Sequence, residues 1–249
     1  MLILRRFLLA SFLTVAASCS DPTSVLDRQI PRSVLFVGNS LTQTNNLPAL
    51  VDMLADSAGF PDLTVGTLAG GGMSLLDHWL GAAPGNVDLG WDVVILQQGP
   101  TTTASGRVQM RMVAAEFADR IRKAGGQPGF YMVWPPVDNT EAFPDVSRTY
   151  RLAAEDVDGY LFPAGEVWLE IWRRNISMPL YGSDGFHPSP YGTYAAALSV
   201  IGTLYNRSVV GLPSRFRLED GTSIWINPVD ARVIQEATDE ALRRHGRRP

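Results

Sequence analysis

Short apolar runs alternate with amphipathic segments along this chain, and that alternation constrains its fold more than any other feature. Residues 34–37, 63–68, 93–96, 130–134 and 159–162 are apolar, β-favouring stretches. Between them, residues 47–59 and 107–123 carry apolar side chains at helical spacing and run into glycine stops. The same spacing predicts helices over 144–157, 167–174, 191–205 and 227–244, the last opened by Asn227-Pro228. Mostly apolar strands separated by helices predict an α/β fold, a parallel sheet of about five strands covered on both faces. The 249 residues are enough for one such domain with a full core.

The first residues read differently. Arg5 and Arg6 precede an apolar stretch from 7 to 17, and small residues lead to Cys19, the only cysteine. This is the pattern of a secretory signal over 1–18, too short for a comfortable transmembrane helix. Val15-Ala16-Ala17-Ser18 before Cys19 is similar to a bacterial lipobox, which implies a lipidated Cys19 and an anchor in the membrane. The alternative is a plain secretory signal with Cys19 incidental. Residues 19–31, polar with two prolines, read as a tether, and 32–249 as the folded domain. A lone cysteine leaves that exported domain without an internal disulfide.

Removing the signal takes away two arginines, leaving 19 basic residues against 25 acidic, a net charge of about −6. Such a balance argues against binding a phosphate backbone, so no nucleic-acid partner is expected.

Ligands of open parallel sheets bind beyond the carboxyl ends of the strands. Three glycine or polar clusters follow predicted strands there: Gly38-Asn39-Ser40, Gly70-Gly71-Gly72 and Gln97-Gln98-Gly99. In "VLFVGNSLT" (34–42), an apolar run stops at a serine. Turn residues would explain Gly-Asn-Ser; so would a nucleophile at the sheet edge. A nucleophile needs a base. Of the three histidines, His245 lies in a basic tail, His78 follows Asp77 in an apolar context, and His187 sits in "YGSDGFHPSPYG" (181–192). There Asp184 precedes His187 by three residues in a loop, where a carboxylate can fix the imidazole tautomer and leave the other ring nitrogen free. Asp184 or Ser189 capping the next helix is the competing role.

Taken together, "GNSLT" and "DGFHPS" resemble the first and last sequence blocks of the SGNH, or GDSL-type, hydrolases. The resemblance spans most of residues 33–206. It implies a flavodoxin-like three-layer α/β/α sandwich and a serine esterase that needs no cofactor or metal, with Ser40 as nucleophile, His187 as base and Asp184 as its orienting acid. It also implies an oxyanion site from the Ser40 backbone and a glycine after the second strand, Gly72 or Gly71. The family's third block, Gly-x-Asn-Asp, has no counterpart here. "VVILQQGPT" (93–101) offers Gln97 or Gln98 as a substitute amide donor, with Gln97 the expectation. The pattern "GNSxT … N-x-LP … GGxSLxxH … LQ … DGxHPS" is similar to a divergent branch of the superfamily, which adds Asn46 and His78 as candidates beside the reacting atoms.

The substrate expected is a small acyl ester, including O-acetyl groups on carbohydrate. Trp134, Trp168 and Trp172 fit either sugar stacking or core packing. Two rivals remain open: a non-catalytic binding lipoprotein that keeps the cleft, and a metal-dependent hydrolase using Asp184, His187 and His78. The second lacks the ligand spacing of a three-residue zinc site.

Overall fold

The structure, a computed structural model, describes residues 30–249 apart from Pro61. The signal sequence, Cys19 and most of the tether therefore lie outside the described residues. Five parallel strands form the central sheet in the order β2-β1-β3-β4-β5: β1 (Ser33–Gly38), β2 (Thr64–Ala69), β3 (Val93–Leu96), β4 (Gln127–Tyr131) and β5 (Tyr160–Phe162). Residues 34–37 of β1 and all of β3 are buried, because both strands lie inside the sheet with helices over each face.

The helices form two layers. α3 (Leu75–Leu80), α4 (Ala83–Val87), α5 (Ala104–Lys123) and α6 (Phe143–Asp156) pack on one another. So do α2 (Leu47–Ser57), α7 (Ala164–Arg174), α8 (Pro190–Tyr205) and α9 (Pro228–His245). The result is a three-layer α/β/α sandwich. α8 is buried along nearly its whole length, which accounts for a sequence with apolar or small residues on every side.

Two differences from the sequence reading have clear causes. β4 begins at Gln127, earlier than the apolar run at 130–134, because Gln127 N–H bonds the Asp92 carbonyl at 2.9 Å. Its ladder ends early, because the chain entering α7 crosses there: Gly165 N–H bonds the Met132 carbonyl at 3.2 Å. Met132, Val133 and Trp134 stay buried beyond the strand. A two-stranded hairpin, β6 (Arg215–Arg217) and β7 (Ser223–Trp225), was not expected. Its turn is closed by Gly221 at φ +86° and by the Asp220 carboxylate accepting from Thr222 N–H at 2.8 Å. Among the described residues no helix is long and apolar enough to cross a membrane.

In the order β2-β1-β3, successive connections leave β1 in opposite directions. That is the topological switch point, where open parallel sheets form their ligand crevice. Ser40 is the second residue beyond β1.

Candidate active site

The turn after β1 leads at once into a short helix, α1 (Ser40–Gln43), capped by Asn39, whose Oδ1 accepts from Leu41 N–H at 3.1 Å. Gly38 is required behind it. A Cβ there would lie 2.4 Å from Thr42 Oγ1 and 2.5 Å from Gln97 Oε1, closer than real contacts allow. The glycine that ends the buried strand thus lets a glutamine from β3's end slide under the serine turn.

His187 reaches Ser40 from the loop before α8. Its Nε2 lies 2.8 Å from Ser40 Oγ, and its Nδ1 lies 2.5 Å from Asp184 Oδ2. The other Asp184 oxygen accepts from the N–H groups of Phe186 and His187, both at 3.0 Å. These bonds hold the carboxyl well below its ordinary value, down to about 2, with the His187 side-chain bond the largest cause and the Phe186 N–H next. A carboxylate facing Nδ1 keeps the proton there and leaves the Nε2 lone pair toward Ser40 Oγ.

Several contacts fix the loop. Trp134 Nε1 donates to the Phe186 carbonyl at 3.0 Å, Val137 N–H to the Gly185 carbonyl at 2.8 Å, and Gly182 N–H to the His187 carbonyl at 2.7 Å. Gly185 adopts φ +69° to make the turn. The fourth contact was not foreseen. Asn45, at φ +54°, donates from Nδ2 to the Pro188 carbonyl at 3.0 Å and to Thr193 Oγ1 at 2.8 Å. It ties the segment after Ser40 to the residue after His187.

The expectation for Asn46 is corrected accordingly. Its Nδ2 donates to Asp220 at 2.7 Å and its Oδ1 caps α2 through Ala49 N–H at 3.4 Å, so it secures the hairpin turn and a helix end. His78 has a backbone partner beside the serine turn. It is buried in α3, with Nε2 2.6 Å from the Gly38 carbonyl, and so holds the end of β1. Among the described residues no group of three His, Cys, Asp or Glu side chains gathers in metal-binding geometry.

Gln97 is not free in the way expected. Gln97 is fully buried, and its Oε1 accepts from Asn39 N–H and Thr42 Oγ1, both at 2.8 Å, while Nε2 donates to the Gln98 carbonyl at 2.7 Å. That amide is spent on building the serine turn. Gln98 bridges Leu75 N–H at 3.2 Å and Thr101 Oγ1 at 3.1 Å, joining the start of α3 to the loop before α5. Tyr150 closes this layer: its hydroxyl donates to the Gln98 carbonyl and accepts from Gln98 N–H at 3.0 Å. Replacing Gln97 with leucine leaves two buried donors without an acceptor. The expected loss is about 2–4 kcal/mol of stability, read from the urea midpoint at unchanged m-value.

Gly72 has φ +73°, a conformation for which glycine is suited, and both Gly71 and Gly72 are exposed. Among the described residues the N–H groups of Ser40, Gly71 and Gly72 donate to no acceptor in the protein. Trp134 and Trp168 are fully buried and stack on each other at 3.6 Å, and Trp172 packs edge-on against Trp168. Of the two roles open to these tryptophans, Trp134 and Trp168 take core packing, and Trp172 belongs to the same aromatic cluster.

With this geometry in place, comparison with known proteins identifies the fold. No family model and no curated protein matches the sequence. Among solved structures, a protein assigned to the SGNH hydrolases from Slackia heliotrinireducens is 27% identical, with a TM-score of 0.57 over 70% of this chain and 99% of that one. A DUF4886 family protein from Bacteroides uniformis gives a TM-score of 0.66 at 18% identity, over 84% and 94% of the two chains. An acetyl xylan esterase gives 0.57 at 16% identity, over 68% and 98%. The chain has the fold of the SGNH, or GDSL-type, hydrolases. Lipases are also among the similar structures.

Proposed function

We propose that this protein is a serine esterase in which Ser40, His187 and Asp184 act as nucleophile, base and orienting acid. One observation carries the reading: the unbroken chain from Ser40 Oγ to His187 Nε2 at 2.8 Å and from Nδ1 to Asp184 at 2.5 Å. Ser40 Oγ attacks the ester carbonyl carbon as His187 Nε2 takes its proton. The carbonyl oxygen becomes an oxyanion facing the backbone N–H groups of Ser40 and Gly72. As the intermediate collapses, the alkoxide leaves with the proton from His187. Water, deprotonated by the same nitrogen, then attacks the acyl-enzyme and restores Ser40.

The substrate class we infer is a small acyl ester on a solvent-borne alcohol, including O-acetylated carbohydrate. The side chains of His187 and Asp184 are 34% and 50% exposed, which suits a bulky leaving group that stays in solvent. The signal pattern and Cys19 support an exported protein held at the membrane by a lipid. The rival reading, a non-catalytic binding protein, draws on the missing Gly-x-Asn-Asp block.

An alkyl fluorophosphonate separates the two. The expected result is a stoichiometric covalent adduct on the Ser40 peptide, absent from Ser40→Ala. No adduct at any serine, in protein with a cooperative melt, overturns the esterase reading and leaves the binding protein.

A further inference from the structure

In that reading a tetrahedral oxyanion beside Ser40 has two backbone donors, the N–H groups of Ser40 and Gly72, neither of which donates within the described residues. The third donor expected from β3's end is missing, because the Gln97 amide is consumed inside the turn. An amide that joins the Ser40 turn to the segment after β2 belongs to another residue. Asn39 is adjacent to Ser40 in the chain, and its Nδ2 is 3.3 Å from the carbonyl of Met73, the neighbour of Gly72. Its orientation is forced. Oδ1 accepts from Leu41 N–H at 3.1 Å, and turning the amide over would point two donors at each other.

Asn39 is 7% exposed as a residue, yet Nδ2 makes only that one long bond. Its second N–H has no acceptor among the described residues. Gly99 lies beside it; a Cβ there would sit 3.8 Å from Nδ2, in ordinary van der Waals contact. Gln98 is the competing amide, but its contacts are Leu75 N–H and Thr101, two residues further along from Met73.

We propose that Asn39 is a catalytic residue of this enzyme, its side-chain amide serving as the third oxyanion donor. The inference rests on the serine-esterase reading above. As the bond from Ser40 Oγ to the carbonyl carbon forms, the carbonyl π pair moves onto oxygen and the free Nδ2–H donates to it. When the pair returns and the alcohol departs, Asn39 has neither gained nor lost a proton. The residue that caps the serine turn thus also fills the function of the absent block.

Asn39→Ser tests this, because serine keeps a capping oxygen for α1 but supplies no amide. With p-nitrophenyl acetate and butyrate, kcat should fall about 10²–10³-fold, while KM changes little and the urea midpoint stays near wild type. Asn39→Asp should fall at least as far. A second measurement does not depend on any variant folding. In a crystal structure of the wild-type fluorophosphonate adduct, the phosphoryl oxygen should lie within hydrogen-bond distance of Asn39 Nδ2. Asn39→Ser turning over within about threefold of an active wild type overturns the proposal. So does an adduct oxygen bonded to Gln98 Nε2 instead, or loss in Gln98→Leu with Asn39→Ser unaffected. A wild type with no Ser40-dependent turnover fails earlier, at the esterase reading, and takes this assignment with it.

Discussion

Ser40→Ala should lower kcat for p-nitrophenyl acetate about 10⁵–10⁶-fold, which is about 7–8 kcal/mol of transition-state stabilisation. The loss should appear without unfolding. Ser40 Oγ bonds His187 Nε2, and its carbonyl, which accepts from Thr44 Oγ1 at 2.8 Å, survives the change. Alanine is also the better helix former at the start of α1. The urea midpoint should therefore shift by no more than about 0.5 kcal/mol equivalent, the range of a substitution that leaves packing intact. Backbone oxyanion donors and the His187–Asp184 pair remain in the variant, so a slow water reaction should persist above the uncatalysed rate. A variant within about tenfold of wild type would mean that the measured turnover comes from elsewhere, and the Ser40–His187 contact would lose its catalytic meaning.

The sheet was legible because its signal is redundant. β3 matches its apolar run end to end, since a strand buried on both faces has no polar residue to blur its limits. β4 was harder: its apolar run begins only at Phe130, yet the strand starts at Gln127, and the burial that marks 132–134 comes from packing under α7. Other misses had signals that went unused. Ser74 and Asp77 form a capping box that opens α3. Asp220-Gly221 between alternating residues announces the β6–β7 hairpin.

The site was legible at its two ends, where Ser40 and Asp184-x-x-His187 sit in short, locally determined turns. Its interior was not. Sequence gives an amide's reach but not its direction. Gln97 is long enough to face a substrate, yet the Thr42 and Asn39 donors packed under Gly38 turn it inward. Asn45 and Asn46 are consecutive and alike in sequence. Both have positive φ, which is what sends one to the histidine loop and the other to Asp220. The asparagine that opens N-x-L-P is in fact Asn45, so the pattern pointed one residue earlier than Asn46. Trp134 follows a strand end, a position that fits either a ligand or the core. In the fold its ring is buried against Trp168 while its Nε1 holds the loop of His187.

Asp184→Asn should lower kcat about 10³–10⁴-fold at neutral pH, a large loss for a change of one atom type. Asparagine can keep its oxygen on the Phe186 and His187 N–H groups, so the loop should stand. The group facing His187 Nδ1 then becomes an NH₂, which donates. Nδ1 must accept, the ring proton moves to Nε2, and Nε2–H faces Ser40 Oγ with no lone pair to receive its proton. KM should change little, because the tautomer affects proton transfer and not ester binding. The wild type supplies a pH control. The Asp184 carboxyl is held at about 2 against an ordinary 3.8. A depressed carboxylate contributes stability that is fully present above its unfolded value and is lost as pH falls through its folded one. Wild type should therefore lose stability between about pH 4 and pH 2 by a component that Asp184→Asn lacks, read as converging urea midpoints. An Asp184→Asn enzyme with kcat within about tenfold of wild type would show that the carboxylate holds the loop and does not set the state of His187. Loss of kcat together with loss of the cooperative melt would instead make Asp184 a structural residue of the turn.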